Sequence, residues 1–402
     1  MGLIVQKFGG SSVANAERVM NVANRIVDTY KQGNSVVVVV SAQGDTTDEL
    51  IEKAKEINPK ASKREMDMLL STGEQISISL LAMAIQKLGY PVVSLTGWQI
   101  GMKTDSNYSN ARISKVDTER LKKEIDSNHI VIVAGFQGIN KYDDITTLGR
   151  GGSDTSAVAI AAALHADMCE IYTDVDGVYT ADPRIVKNAK KLDEISFDEM
   201  LELASLGAGV LHNRSVEMAK KYNVKLSVRS SLNKNPGTVV KEAGKMEKMI
   251  VSGVAKDNDV ARISICNIED KPGMAFKVFS LLASKHINVD IILQSIGRDG
   301  KKDISFTVNE ANLDSAVEVL NSEKDVLLFE EIKTRSDVSK VSIVGSGMVN
   351  NPGVACKMFE ALYDANINIH MISTSEIKVS VLINEQNADR AVNVIHEKFN
   401  LA

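Results

Sequence analysis

The sequence predicts an α/β protein. Its first part is a mostly parallel sheet with helices on both faces, and two ferredoxin-like βαββαβ modules follow. Three observations predict this. Up to about residue 245, short apolar runs of strand length alternate with longer runs of helical periodicity, the pattern of strand–helix–strand crossovers. Val36–Val40 is five consecutive valines, the signature of a strand buried on both faces. Beyond Pro236-Gly237 the chain repeats itself. Pro272-Gly273, Phe279, Leu282 and Ile287-Asn288 recur as Pro352-Gly353, Phe359, Leu362 and Ile367-Asn368, all 80 positions later. Asn309-Glu310 and Ala316-Val317 recur 75 positions later as Asn384-Glu385 and Ala391-Val392. Each copy reads strand, Pro-Gly turn, helix, strand, strand, helix, which is the ferredoxin-like arrangement.

In chain order, Leu3–Phe8 is expected as a strand, followed by Gly9-Gly10-Ser11-Ser12 and a helix to about Gln32. The valine strand comes next, then a helix through Ile76–Leu88 and strands at Pro91–Leu95 and His129–Ala134. Ser153–Ala166 is expected as a helix capped by its Ser-Asp pair, and Met168–Thr173 as a strand. Helices cover Ser196–Ala204 and Asn213–Tyr222, and the charged stretch Lys241–Lys248 reads as a linker. The domains are expected at 1–245, 246–335 (with the linker) and 336–402.

Composition narrows the function. With 44% hydrophobic and 25% charged residues, the 402-residue chain has ordinary globular chemistry. A formal net charge of −5, with no basic run, argues against nonspecific nucleic-acid binding. Cys169, Cys266 and Cys356 lack metal-ligand spacing and sit among apolar neighbours, so all three are expected buried and reduced. The first residues carry no signal-peptide pattern, and a cytoplasmic location is expected.

The chemistry concentrates in loops. Gly149-Arg150-Gly151-Gly152-Ser153-Asp154 combines glycines, which allow close approach and positive φ, with a helix start that offers free N–H groups to an anion. Arg150 adds a planar donor fork for carboxylate or phosphate, and Asp154 a fixed negative charge. Lys7-Phe8-Gly9-Gly10 is a second glycine turn, with its cation ahead of the glycines, so it is not a Walker A loop. Ser41 to Asp48 supplies hydroxyls where the valine strand ends. Glu74 falls near the start of an otherwise apolar helix, where an acid is an ordinary capping residue. Thr173 to Arg184 offers hydroxyls, Tyr179 and a cation beyond another strand.

Taken in order, these motifs resemble the aspartokinase branch of the amino-acid kinase family. The matching segments are Lys-Phe-Gly-Gly-Ser-Ser-Val from Lys7, Ser-Ala-x-Gly-x-Thr-Thr-Asp from Ser41, and Ser-Thr-Gly-Glu from Ser71. Leu-Gly-Arg-Gly-Gly-Ser-Asp from Leu148 and Thr-Asp-Val-x-Gly-Val-Tyr-x-x-Asp-Pro-Arg from Thr173 complete the set. The two repeats resemble the tandem ACT domains of that family. The resemblance implies the amino-acid kinase fold and ATP-dependent phosphorylation of the L-aspartate side chain, with Mg²⁺ as cofactor and no direct protein ligand assigned to it. It implies Lys7 and Asp154 as catalytic residues. It implies Ser41, Thr47, Glu74, Arg150, Gly151 and Ser153 as aspartate-binding residues. For ATP it implies Lys7, Gly9, Gly10, Thr173, Asp174, Tyr179, Arg184, Gly209 and Val210. Gly209 stands where many members carry lysine, so a charged anchor is lost there.

The same resemblance implies feedback inhibition by lysine and/or threonine at the repeats. One group of candidate positions is Asp270, Pro272, Gly273, Asp290 and Gln294. The other is Asn351, Pro352, Gly353, Asn368, Ser373, Thr374, Ser375 and Glu376. It also implies a homodimer formed through the ACT domains, or a dimer of dimers. The chemistry is consistent with this set. An acceptor carboxylate is already ionised at neutral pH and needs no general base. The difficulty is to bring an anion up to a polyanion, and Lys7, Arg150 and helix N-termini supply positive charge. An α-ammonium group calls for Glu74, and an α-carboxylate for Arg150.

Overall fold

The computed structural model describes residues 2–206, 210–243, 250–297 and 299–402. The chain forms two compact units. One comprises Met1–Tyr179 with Lys191–Met246, the other Thr180–Lys190 with Glu247–Ala402.

The first unit is built on an eight-stranded sheet. Its order is Glu194–Ser196, Thr238–Lys241, Leu226–Ser230, Met168–Thr173, Leu3–Phe8, Ser35–Val40, Ile130–Ala134, Val92–Leu95. Only Leu226–Ser230 and Thr238–Lys241 pair antiparallel. The five valines are fully buried, as their unbroken apolar run requires. Strand Leu3–Phe8 is the topological switch point. It pairs in parallel with Ser35–Val40 on one side and Met168–Thr173 on the other, and the chain works outward in both directions from it. Ligand crevices in such sheets form beyond the carboxyl ends of the strands at this point.

Helix Ala16–Lys31 is capped by Asn15, whose side chain accepts from the Arg18 N–H, and buries Val19, Val22, Ala23, Ile26 and Val27. Helix Lys63–Lys87 begins thirteen residues before the expected Ile76, capped by Ser62. The polar run Ser71 to Gln75 reads as a break in sequence. Within the helix its hydroxyls bond back to the preceding turn, Ser71 Oγ to Met68 O at 2.8 Å and Thr72 Oγ1 to Leu69 O at 2.7 Å. This helix is long and apolar enough to cross a membrane, yet 56% of its apolar window is buried inside the protein, as in a core helix. A small second sheet (Ile113–Val116, Met102–Thr104, Gln137–Ile139, Ile145–Thr147) went unanticipated, because strands of three or four residues are too short to show a period.

The second unit holds two four-stranded antiparallel sheets. The first repeat orders Ile292–Gln294, Lys301–Val308, Ala261–Glu269, Glu331–Arg335. The second orders Met371–Thr374, Lys378–Asn384, Val338–Val344, Gly253–Asp257. The repeats are closed differently. Glu331–Arg335 closes the first from its own chain end, whereas the equivalent place in the second is taken by Gly253–Asp257, which precedes both copies. The segment Thr180–Lys190 also belongs here. Ala181 and Val186 enter the second repeat's core with Val341 and Ile343. Thr180 Oγ1 meets His396 Nε2 at 2.9 Å, and Val254 N–H donates to Thr180 O at 2.7 Å.

All three cysteines are free, but only Cys169 is buried. Cys266 is partly covered and Cys356 is exposed, because the helix Val354–Asp364 turns residue 356 away from its core face of Met358, Ala361 and Leu362.

Candidate active site

Lys7 lies one residue before the end of the switch-point strand, and its Nζ is 2.7 Å from Asp154 Oδ1, with both side chains 12% exposed. Asp154 is in the first turn of helix Gly152–Leu164. The expected Ser-Asp cap is not made. Gly151, at φ 67°, occupies the cap position with no side-chain cap bond. Ser153 and Asp154 are already helical, so the carboxylate is directed to Lys7 instead of back to the helix N–H groups.

The glycine turn after Lys7 is packed against the loop that follows the valines. A Cβ on Gly10 would sit 2.6 Å from Ala42 O, so only glycine fits. Gly44 N–H donates to Gly10 O at 3.0 Å and Ser41 N–H to Phe8 O at 3.1 Å. A Cβ on Gly9 would come 3.4 Å from Lys7 Nζ. Beneath this turn the rings of Phe8 and Tyr172 stack with centroids 4.6 Å apart.

Glu74 is not a capping acid. It is buried in mid-helix, where Ala42 N–H donates to its Oε1 at 3.1 Å. Its Oε2 is buried with no hydrogen-bond partner among the described residues. Burial pushes its carboxyl up to about 8, against the lowering effect of the Ala42 N–H. A buried acceptor without a partner is what an incoming ammonium requires. Thr47 is half-buried in the first turn of helix Thr46–Ile57.

Arg150 is exposed between Gly149 (φ 77°) and Gly151 (φ 67°). Ser153, buried, lies against Gly135, where an added Cβ would be 2.8 Å from Ser153 Cβ. The His212 ring lies against Gly151, so that a Cβ there would be 2.2 Å from His212 Cγ. Burial lowers the His212 pKa, offset in part by Asp154.

Three residues that sequence reasoning missed hold this region. Arg214 donates to Leu148 O at 2.9 Å and Ala111 O at 2.6 Å. Asp67 accepts from both Ser109 and Thr147. Tyr172 forms the floor below Gly9.

Among the residues expected to meet ATP, Thr173 Oγ1 donates to Asp174 Oδ1 at 2.9 Å, and Tyr179 OH donates to Asp176 Oδ1 at 2.6 Å. Arg184, with an 89% exposed side chain, pairs with Asp182 at 2.7 Å. Val210 is half-buried, and Gly209 lies outside the described residues.

Among the effector candidates, the Pro-Gly pairs fall at matching places in the two repeats. Gly273 and Gly353 cap the first helix of each copy at φ 90° and 93°. Gln294 ends one edge strand, and Ser373 and Thr374 end the other, with Ser375 and exposed Glu376 just beyond. Asp270 pairs with Lys302 at 2.8 Å, Asp290 with Lys340 at 2.6 Å, and Asn368 is exposed. A cavity of about 450 Å³ is lined by Asn351, Pro352, Gly353, Val354, Lys357 and Phe399, among others.

This geometry and fold define a class, the phosphotransferases of the amino acid kinase family, which residues 2–230 match; residues 263–323 and 341–399 match the ACT domain. Aspartokinase 2 of Bacillus subtilis is 54% identical over 403 residues, covering all of this chain and 98% of that protein. The structure of E. coli aspartokinase III in complex with lysine and aspartate (T-state) is 25% identical, with a TM-score of 0.78 and 99% of each chain covered. The structure of that enzyme with aspartate and ADP (R-state), at 24% identity and a TM-score of 0.83, shares the fold over 98% of this chain and 99% of its own. The chain belongs to the aspartokinases, and as such is a kinase with a carboxyl group as acceptor and ACT domains for allosteric control.

Proposed function

We propose that this chain transfers the γ-phosphoryl group of ATP to the side-chain carboxylate of L-aspartate, giving 4-phospho-L-aspartate, the first step toward lysine, threonine and methionine. The observation that carries the reading is the Lys7–Asp154 pair at the sheet's switch point. An aspartate carboxylate oxygen bonds to the γ-phosphorus while the bond to the bridging oxygen of ADP breaks, and ADP departs with that electron pair. Lys7 and the N-terminus of helix Gly152–Leu164 offset the charge on the moving phosphoryl group, and Asp154 holds Lys7 in place. Glu74 Oε2 takes the substrate ammonium and Arg150 the α-carboxylate, with Ser41, Thr47, Gly151 and Ser153 around them. Gly9, Gly10, Thr173, Asp174, Tyr179, Arg184, Gly209 and Val210 face the nucleotide.

Magnesium fits as a cation carried by the nucleotide. Among the described residues no three His, Cys, Asp or Glu side chains converge, so the triphosphate oxygens would hold it, with Asp154 as the nearest fixed acid to the transferring group. It would neutralise phosphate charge.

Lysine and/or threonine bind the repeats in this reading and inhibit, in a homodimer joined through the ACT domains or a dimer of dimers, in the cytoplasm. The course of the chain supports such control. The loop carrying Thr173 to Tyr179 continues into Thr180–Lys190, which is anchored in the second repeat's core. An effector acts only through different affinity for the two states of the protein. ADP release coupled to a dehydrogenase, with aspartate, glutamate and uridine monophosphate as acceptors, tests the reaction. Release with aspartate alone is expected, and equal release without it would overturn the reading. Titration of lysine and threonine, singly and together, tests the control.

A further inference from the structure

Asp67 has no place in the reaction as drawn so far, yet it is fully buried and saturated with donors. Its Oδ2 accepts from Ser109 N–H and Thr147 N–H, each at 2.9 Å. Its Oδ1 accepts from Ser109 Oγ at 3.2 Å and Thr147 Oγ1 at 2.8 Å. A carboxylate taken wholly out of water is costly unless it is fully hydrogen-bonded, and here four neutral donors supply the bonds, with no cation paired to it among the described residues. Both partners bear on one short piece of chain. Thr147 ends the strand Ile145–Thr147, three residues before Arg150. Ser109 is held at a positive φ of 67°, and its carbonyl oxygen lies 3.1 Å from where a Cβ on Gly149 would be. Ala111 N–H donates to Thr147 O at 2.9 Å, which closes the contact between the two loops.

Asp67 and Glu74 are carried by the same helix, Lys63–Lys87, seven residues or about 10 Å of helix apart and on one face. One rigid element thus sets both the acid assigned to the substrate ammonium and the loop that presents Arg150 to the α-carboxylate. We infer that Asp67 is a positioning residue for substrate selection. By pinning Ser109 and Thr147 it fixes the spacing between Glu74 and Arg150, and so the preference for an acceptor carrying an α-carboxylate. This rests on the assignment of Arg150 to that carboxylate.

The test compares L-aspartate with its α-amide, L-isoasparagine, which keeps the acceptor carboxylate and loses only the α-carboxylate charge. Full-length wild type, Asp67→Asn and Arg150→Ala are assayed for ADP release with each acceptor. Asparagine conserves size but removes the charge; its amide oxygen can keep the two backbone donors, while its N–H₂ forces the Ser109 and Thr147 hydroxyls to turn from donating to accepting. Expected for Asp67→Asn is an aspartate KM raised about tenfold or more, an ATP KM within about twofold of wild type, and a collapse of the aspartate-over-amide ratio of kcat/KM. A merely structural role would lower both acceptors together and leave the ratio unchanged, and that result overturns the inference. Should Asp67→Asn not fold, Thr147→Val takes its place. It removes one of the four donors, and a fall of several-fold in the ratio is expected. The assignment beneath is read separately. A ratio preserved in Arg150→Ala refutes that assignment, whereas a ratio lost in Arg150→Ala but kept in Asp67→Asn refutes only the role of Asp67.

Discussion

On the acceptor side the candidate groups are held by buried neighbours. Glu74 takes a hydrogen bond from Ala42, Lys7 is paired with Asp154, and the loop before Arg150 is gripped by Asp67 and Arg214. On the nucleotide side the same kinds of group satisfy one another at the surface. Thr173 bonds Asp174, Tyr179 bonds Asp176, and Arg184 folds back on Asp182 two residues away. The acceptor candidates all belong to the first unit. A pre-built acceptor site has its electrostatics in place before substrate arrives, which is where catalytic power is expected. A nucleotide side on exposed, locally paired residues must exchange those pairs for ligand contacts.

The largest effect that this contrast predicts is at its buried pair. Lys7→Ala should cut kcat by about a thousandfold or more, because the cation facing the phosphoryl group is lost in a water-poor site. It also leaves Asp154 buried without its counter-charge, so some loss of stability is expected as well. Single-turnover kinetics on protein whose circular dichroism matches wild type separates the two effects. A kcat within tenfold of wild type would place the catalytic charge elsewhere.

Next comes Arg150. It is exposed, and no hydrogen bond or ion pair engages it among the described residues, so Arg150→Ala should leave stability alone. The expected change is an aspartate KM raised about tenfold to a hundredfold with kcat little altered, as for the loss of a charge-assisted carboxylate contact. An unchanged aspartate saturation curve would remove it from the acceptor side.

The same contrast governs what could be read from sequence. Lys7, Gly10 and the glycines around Arg150 were legible because close approach and positive φ leave glycine signatures, and a strand-to-helix turn fixes where they point. The sheet was legible from the valine run and the strand–helix alternation. The start of helix Lys63–Lys87 was not, because the hydroxyls and glycine of Ser71 to Gln75 suggest a break, and only the packed helix satisfies them internally. Glu74 was therefore read as a capping acid near a helix start, whereas the structure buries it in mid-helix. Asp67 and Arg214 were missed because they act on carbonyls and N–H groups brought near by folding, and such partners leave no pattern in a chain. The strand Gly253–Asp257 was missed for a related reason. Its partner Val338–Val344 is about eighty residues away, and the repeat itself gave no sign that its second copy is closed from the other end of the unit.

A smaller effect, and one that depends on pH, follows from Glu74. Its carboxyl lies above the usual range, at about 8, because of burial. The stabilising share of this group is present at low pH, where it is protonated, and is lost as pH rises toward 8. Aspartate binding has the opposite demand, since the ammonium pairs with the ionised form. The value of kcat/KM for aspartate should therefore rise with pH, by about tenfold per unit at most, and level off near 8. In Glu74→Gln that limb should vanish and the value should stay low throughout. A pH profile shared by wild type and variant would assign the ionisation to another group.

The smallest effect is expected on the surface of the nucleotide side. The Arg184–Asp182 pair is largely exposed, so breaking it costs little in folding; surface pairs contribute about 0–1 kcal/mol. If Arg184 exchanges Asp182 for a phosphate, Arg184→Ala should raise the ATP KM by about fivefold, equivalent to about 1 kcal/mol, and leave the aspartate KM unchanged. Asp182→Asn sharpens the comparison. It weakens one competitor for the guanidinium, so the ATP KM should fall, whereas the equivalent loosening at Asp67 should only harm. An ATP KM that rises in Asp182→Asn would mean that the exposed pair is itself the nucleotide contact, and that the nucleotide side is pre-built after all.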